Sequence, residues 1–256
     1  MTELEICVDS VESAVAAQAG GAQRVELCSA LAEGGLTPSL GMIRAVRSQL
    51  DIGIYSMIRP RGGDFFYSPP ELSVMRDDIA SAIAAGVDGI VLGLLTTDGE
   101  VDSEQTKSLI ELARSLNPNI GVTFHRAIDM TRDLNQSLEA VIGTGANRIL
   151  TSGGSQSALA GSACTASLVR IAGSHIRVMV CGHVRPDNVQ QIAMETGAHE
   201  FHASLRKSIP SPVAFRNPGL YLGDPGVDEY ARHAVYAEDV RDLRNAIDAI
   251  PARQNT

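Results

Sequence analysis

The stretch DSEQTKSLIELARSLNP at residues 102–118, followed closely by GVTFHR at residues 121–126, decides the fold class. The first stretch begins with an Asp/Ser cap, carries apolar residues at helical spacing and stops before Pro118, so it predicts a helix. The second stretch has Val122 and Phe124 on one face and predicts a short strand. A helix joined to a strand by so short a link is the repeating unit of a parallel α/β protein.

The same alternation runs along most of the chain and predicts eight strands. We expect them near Leu4–Asp9, Arg24–Cys28, Ile52–Arg59, Gly89–Leu94, Gly121–His125, Arg148–Ser152, Arg177–Cys181 and Glu200–Ser204. Eight βα units in about 200 residues favour one α/β fold, a single TIM-type (β/α)₈ barrel. The alternative α/β fold is an open doubly wound sheet. Glycine-rich dinucleotide motifs do not follow the first strand, so no nucleotide cofactor is expected.

One domain is expected over residues 1–256, with the barrel at about 4–208. The segment that follows, at about 209–250, contains several prolines and predicts an irregular loop and then closing helices.

Composition narrows the class of protein. The 256-residue chain has a net charge of −9, which disfavours nucleic-acid binding. Uninterrupted apolar runs are too short for a membrane span, and the acidic N-terminus MTELEICVDS does not resemble a signal peptide. We therefore expect a cytoplasmic protein whose four cysteines are reduced.

Strand alternation predicts which side chains face the barrel axis. The inward set is Glu5, Cys7, Asp9, Arg24, Glu26, Cys28, Tyr55, Met57, Arg59, Arg61, Thr123, His125, Arg177, Met179, Cys181, Glu200, His202 and Ser204. Many of these are ionisable, and burying a lone charge costs several kcal/mol. Either Glu5 and Glu26 form an internal ion-pair network with Arg24 and Arg59, or the charges serve a site at the barrel mouth.

Several stretches together resemble the CutC copper-homeostasis family. They are ELEICVDS, RVELCSALAEGGLTPS, MIRPRGGDFFYS, VTFHRAIDM, RILTSGG and FRN. The resemblance covers residues 4 to about 236 and implies a TIM-type barrel, a cytoplasmic homodimer and a link to copper. The matching positions are Glu5, Cys7, Glu26, Cys28, Arg59, Arg61, His125, Arg126, Asp129, Ser152, Gly153 and His202.

The first functional hypothesis is a copper-homeostasis protein that binds Cu(I). Cys7 and Cys28 lie on neighbouring predicted strands with the same inward parity, and thiolates favour soft metals. Cys181 and His202, on the adjacent seventh and eighth strands, are weaker candidates as metal ligands. The chain contains no CxxC pair, so the cysteines are also consistent with small buried apolar residues.

The alternative is a barrel enzyme acting on a small anionic metabolite that carries a phosphate or a carboxylate. Its catalytic candidates are His125, as general acid or base, with Glu26 and Glu5. Its ligand-binding candidates are Arg59, Arg61, Arg126, Asp129, Ser152, Gly153, Gly154 and His202. The glycines after the sixth strand suggest backbone N–H groups for an anion, although they also fit a simple turn, and Arg126 with Asp129 also fits a local ion pair.

A third hypothesis is a binding or scaffold protein. Phe65, Phe66 and Tyr67 are clustered in one predicted loop and are expected to form either a partner surface or a lid over the barrel mouth.

Overall fold

The computed structural model describes residues 2–217, 219, 220, 222, 228 and 230–251. Eight parallel strands form a closed barrel in the order β1-β2-β3-β4-β5-β6-β7-β8, which confirms the predicted TIM-type barrel. The barrel strands are β1 Glu3–Val8, β2 Arg24–Leu27, β3 Gly53–Met57, β4 Gly89–Leu92, β5 Gly121–Phe124, β6 Arg148–Thr151, β7 Arg177–Val180 and β8 Glu200–Ala203. That the whole chain forms one domain stays a prediction.

Helices alternate with the strands and cover the barrel. They are α1 Val11–Ala19, α2 Leu40–Arg47, α3 Pro69–Ala84, α4 Ser103–Leu116, α5 Leu134–Thr144, α6 Ser162–Ala172, α7 Val189–Thr196 and α8 Ala237–Asp248. Among the described residues, none of the helices combines the length and apolar character that a membrane crossing requires.

Local sequence explains where the helices begin. The Asp102 side chain accepts a hydrogen bond from the Gln105 N–H at the start of α4, as the Asp/Ser cap predicts. Ser68 and Glu71 form a capping box at the start of α3, where prolines occupy the first positions. Helix α8 packs so closely on α1 that a Cβ at Gly20 would lie 2.4 Å from the Val240 Cβ.

Apolar faces of the strands pack against the helices in one large core, while the inward faces are mixed. Two small apolar clusters lie inside the barrel: Cys7, Cys28, Met57 and Val91, and Leu150, Met179 and Cys181. The rest of the interior is mostly charged, which sets this barrel apart from those filled by branched apolar residues.

An ion-pair network closes the amino end of the barrel. Its members are Glu3, Glu5, Arg24, Arg148, Arg177 and Glu200. The Tyr55 ring lies beside the network, with the Arg24 and Arg148 guanidinium carbons 4.8 Å and 5.6 Å from its centroid. All members except Glu5 are the first residues of their strands, so the network lies opposite the end where barrel enzymes act.

The network only partly matches the predicted one. Glu5 does pair with Arg24, but Glu26 and Arg59 do not belong to it. The Arg59 guanidinium instead donates to the carbonyl oxygens of Glu33, Gly35 and Gly63, because the loop after β2 folds over the end of β3.

The segment after the barrel is more regular than predicted. Strands β9 Lys207–Pro210 and β10 Ala231–Ala234 pair antiparallel, where the sequence predicted an irregular loop and then helix. The prolines of this segment led the sequence to predict a loop where β9 lies. Pro210 is the last residue of β9, an edge strand of a two-stranded sheet, and edge strands tolerate proline. Positions 218, 221 and 223–227 of the predicted loop lie outside the described residues.

Candidate functional site

A cavity of about 280 Å³ opens at the carboxyl end of the barrel. Its lining residues are Cys7, Glu26, Leu31, Gly34, Met57, Arg59, Phe65, His125, Arg126, Leu150, His202, Ser204 and Arg206. Several candidates for a site at the barrel mouth line this cavity, namely Glu26, Arg59, His125 and His202. Glu5, the remaining catalytic candidate, lies deeper and is completely buried.

Two thiols and a histidine meet at the floor of the cavity. Strand register places Cys7 directly beside Glu26, and Glu5 directly beside His202. The Cys7 and Cys28 sulfur atoms are 4.0 Å apart, and the Cys28 thiol lies 3.6 Å from Glu26 Oε2. Ligand atoms of Cys7, Glu26 and His202 all lie within 4.8 Å of one another. We call Cys7, Glu26, Cys28 and His202 the thiol site.

Protons are unevenly shared within the thiol site. A hydrogen bond from Cys28, aided by His202 and opposed by burial, lowers the pKa of Cys7 to about 5. The pKa of Cys28 is raised by its bond to Cys7 and by burial. Burial and the negative charge of Cys7 raise the pKa of Glu26. At neutral pH Cys7 is therefore the thiolate of the pair.

His202 is held from below by the ion-pair network. Its Nδ1 lies 2.7 Å from Glu5 Oε1, and Glu5 also accepts from Arg24. Burial lowers the pKa of His202, but Glu26, Cys7 and Glu5 outweigh burial and raise it. A carboxylate behind an imidazole fixes the ring orientation, which is a common arrangement behind metal-binding histidines.

Arg59 and His125 line the same cavity, together with Phe65. The Phe65 ring lies 4.8 Å from the Arg59 guanidinium carbon and 5.0 Å from the His125 ring. Three buried polar atoms on the cavity residues have no hydrogen-bond partner within the described part of the chain: Glu26 Oε1, Arg59 Nε and His125 Nε2.

His125 is the candidate general acid or base, and its surroundings shift its pKa away from the usual value of histidine. Burial and the nearby Arg59 lower the pKa of His125 to about 3, so the ring is neutral. Its Nδ1 accepts a hydrogen bond from the Ala127 N–H at 3.1 Å, which places the proton on Nε2. His125 therefore presents a fixed N–H donor, and a neutral imidazole can polarise a bound oxygen without giving up a proton.

The glycine-rich turn after β6 is already filled by the protein's own carboxylate. Asp129 accepts hydrogen bonds from the backbone N–H groups of Ser152 and Gly154, at 3.0 Å each, and also pairs with Arg126. The Gly153 N–H is bonded to the Thr151 hydroxyl at 2.9 Å. These N–H groups, predicted as an anion cradle, thus have partners within the fold.

Other predicted site residues lie away from the thiol site. The Arg61 guanidinium binds Glu71 and Asp64 and does not line the cavity. Cys181 belongs to the separate apolar cluster with Leu150 and Met179. Phe66 is exposed, whereas Phe65 lines the cavity; the loop therefore contributes one aromatic residue to the mouth.

Sequence reasoning missed two features of the site. Arg206 lies at the rim, where it pairs with Asp9, but it follows the last strand and parity arguments do not reach it. Glu26 was considered for catalysis and not as a neighbour of the cysteines. Its inward parity, shared with Cys28 two residues later, was the available signal.

A larger depression of about 1000 Å³ lies at the amino end of the barrel. Glu3, Arg148, Arg177 and Glu200 line it, and their charges are paired with one another. Barrel enzymes act at the carboxyl end, so the smaller cavity is the candidate site.

Comparison with known proteins shows which family the chain resembles. The model of the CutC family matches residues 2–207. A CutC family protein of Chromobacterium violaceum is 48% identical over 245 residues, covering 96% of this chain and 98% of the relative. A human protein named copper homeostasis protein cutC homolog is 45% identical over 245 residues, covering 95% of this chain and 88% of its own length.

A solved structure is also similar. The crystal structure of a CutC protein from Streptococcus agalactiae superimposes with a TM-score of 0.74 at 33% identity, covering 79% of this chain and 98% of that one. The family model spans every barrel strand and every residue of the thiol site. The chain therefore belongs to the CutC family.

Proposed function

We propose that this protein serves copper homeostasis by binding Cu(I) between Cys7 and Cys28. Relatives named for copper homeostasis support the role, and the separation of 4.0 Å between the two sulfur atoms carries the assignment to these residues. Metal–thiolate bonds are about 2.3 Å long, so one ion fits between sulfurs at this spacing. The sulfurs are too far apart for a disulfide, whose S–S bond is about 2.05 Å.

The proton distribution of the site suits a soft monovalent ion. The Cys7 thiolate is ready to bind, and only Cys28 has to lose a proton to complete the sulfur pair. Zn²⁺ usually takes four donors, from thiolate, imidazole and carboxylate groups, whereas the sulfur pair supplies two. Burial and the charge of Cys7 raise the pKa of Glu26, which disfavours its carboxylate as a further donor. His202, whose ring nitrogen lies within 4.8 Å of the Cys7 sulfur, is the candidate for a third donor.

The copper role is preferred to the barrel-enzyme alternative because the relatives described above carry copper-homeostasis or family names and none is named for a reaction.

Anaerobic titration of the reduced chain with Cu(I), against a competing Cu(I) chelator, tests the proposal. We expect about one tightly bound ion in the wild type, and loss of that ion in Cys7→Ser and in Cys28→Ser. Cys181→Ser is the matched control, because Cys181 is equally buried but lies in another cluster. Unchanged binding in both thiol-site variants would remove the proposal.

We further propose a cytoplasmic homodimer. The cytoplasm keeps thiols reduced, and the four cysteines are free. The segment after β9 exposes the apolar side chains of Val213, Phe215 and Leu220, which a second copy of the chain would cover. Sedimentation of the chain at micromolar concentration checks this; a monomer at all concentrations would contradict it.

A further inference from the structure

Arg59 is a buried cation that lacks an acidic partner. It is 4% exposed, and among the described residues no carboxylate lies within ion-pair distance of its guanidinium. Three backbone carbonyls accept from its terminal nitrogens, while its Nε–H has no acceptor in the described structure. Burying an uncompensated charge is costly, so a buried guanidinium with a spare donor favours a bound anion.

His125 offers a second donor beside it. The ring is 4% exposed and packs on Phe65, which also lies under the Arg59 guanidinium. His125 Nδ1 accepts a hydrogen bond from the Ala127 N–H, so the ring proton is on Nε2. Within the described residues, no atom accepts a hydrogen bond from this Nε2–H group. Two buried, unpartnered N–H groups on the lining of one cavity are each available to donate to an oxygen of a bound anion.

The cavity's size and remaining donors decide which anion it fits. At about 280 Å³ it lies just below the range of pockets for drug-sized ligands, so it holds a small metabolite. The backbone N–H groups after β6 are not free for an anion, because Asp129 already accepts from those of Ser152 and Gly154. The unpartnered N–H groups of Arg59 and His125 are therefore the anion donors of this cavity.

We propose that the barrel mouth binds a small organic acid, whose carboxylate accepts hydrogen bonds from Arg59 Nε–H and His125 Nε2–H. Arg126 and Arg206 at the rim add positive charge, although each also pairs with an aspartate, Asp129 or Asp9. This site uses Arg59 and His125, which follow β3 and β5, whereas the thiol site lies on β1, β2 and β8 and at the end of β2. The acid site does not depend on copper binding.

Calorimetric titration of the reduced chain with pyruvate, malonate, inorganic phosphate and chloride tests the inference. A Cu(I) chelator is present throughout, so that no metal held by the cysteines can bind the added acid. His125→Asn keeps an acceptor for the Ala127 N–H at a helix start and removes the Nε2 donor. Arg59→Lys keeps the charge and removes the Nε–H.

Arg76→Gln is the matched control, because it removes a cation on α3 that binds Ser108 outside the cavity. We expect at least one of the two acids to bind the wild type and Arg76→Gln alike, and to bind His125→Asn and Arg59→Lys at least about tenfold more weakly. If one variant fails to fold, the other decides.

Failure of both acids to bind would overturn the inference. So would equal affinity in wild type and in the folded Arg59 or His125 variants. Phosphate or chloride binding as tightly as the acids would mean an adventitious anion only, and would overturn the assignment to a carboxylate. None of these results bears on the copper titration, which depends on Cys7 and Cys28.

Discussion

Replacing Glu5 by Gln removes the carboxylate that links the ion-pair network at the amino end to the thiol site. Glu5 is completely buried, accepts from Arg24 and lies 2.7 Å from His202 Nδ1. Arg24 keeps Glu3 and Glu200 as partners in the variant, whereas His202 loses the carboxylate behind it. The neutral amide therefore weakens both the barrel interior and the orientation of a candidate metal ligand.

The pKa of Glu5 gives the size of the effect. Burial raises that pKa, but Arg24 and His202 outweigh burial and lower it from 4.5 to about 2. A difference of about 2.5 pKa units, at about 1.4 kcal/mol each, corresponds to about 3 kcal/mol of folding free energy. Because the folded pKa is lower than the unfolded one, this stabilisation is complete above about pH 4.5 and is lost as the pH falls towards 2.

Urea unfolding of wild type and Glu5→Gln between pH 7 and pH 2.5 measures the effect. We expect the variant to be less stable by about 3 kcal/mol at pH 7, with a difference that shrinks as the pH is lowered. Glu12→Gln, at an exposed position of α1, is the control and is expected to change stability by less than about 0.5 kcal/mol. A difference below about 1 kcal/mol at pH 7, or one that stays constant with pH, would refute the assignment of Glu5 as a buried ion-pair partner.

Three further predictions follow from single sites. Ultraviolet thiolate absorbance is expected to show one thiolate that titrates near pH 5 and is absent from Cys7→Ser, because the pKa of Cys7 is lowered to about 5; a first transition near pH 8 would contradict this. Nitrogen NMR is expected to find His125 neutral, with its proton on Nε2, throughout pH 5–8, because its pKa is about 3; a midpoint near pH 6.5 would argue against a buried ring. Gly121→Ala is expected to destabilise the fold by about 1–3 kcal/mol, because the new Cβ would lie 2.0 Å from the Tyr55 hydroxyl oxygen. Gly143→Ala on α5 is expected to stabilise the fold by about 0.5–1 kcal/mol, because its Cβ would meet no atom within 4 Å. Equal melting temperatures of the two variants would contradict both expectations.

The period-two pattern of the strands predicted much of the barrel and its inward faces. Glu5, Cys7 and His202 face the axis as parity requires, and the register between β1 and its neighbours brings them together. Parity works here because one face of each strand must meet the helices and is apolar.

Pairing between polar groups could not be predicted in the same way. Glu26 and Arg59 share inward parity, yet Arg59 binds loop carbonyls and Glu26 lies beside Cys7, because the tilt of barrel strands and the path of the loops set their heights. Asp129 forms the local pair with Arg126 that its spacing also allowed, and it accepts in addition from the turn at Ser152, which the spacing did not indicate. Such contacts depend on loop positions that residue spacing does not encode.

X-ray absorption at the copper edge of the Cu(I)-loaded, reduced chain tests the central claim most directly. The account predicts two sulfur ligands at about 2.3 Å from the copper ion, with or without one nitrogen ligand. Both sulfur ligands are expected to be lost in the double variant that carries Cys7→Ser and Cys28→Ser. A spectrum that contains only nitrogen and oxygen ligands, or one that is unchanged in that double variant, would contradict copper binding at this site.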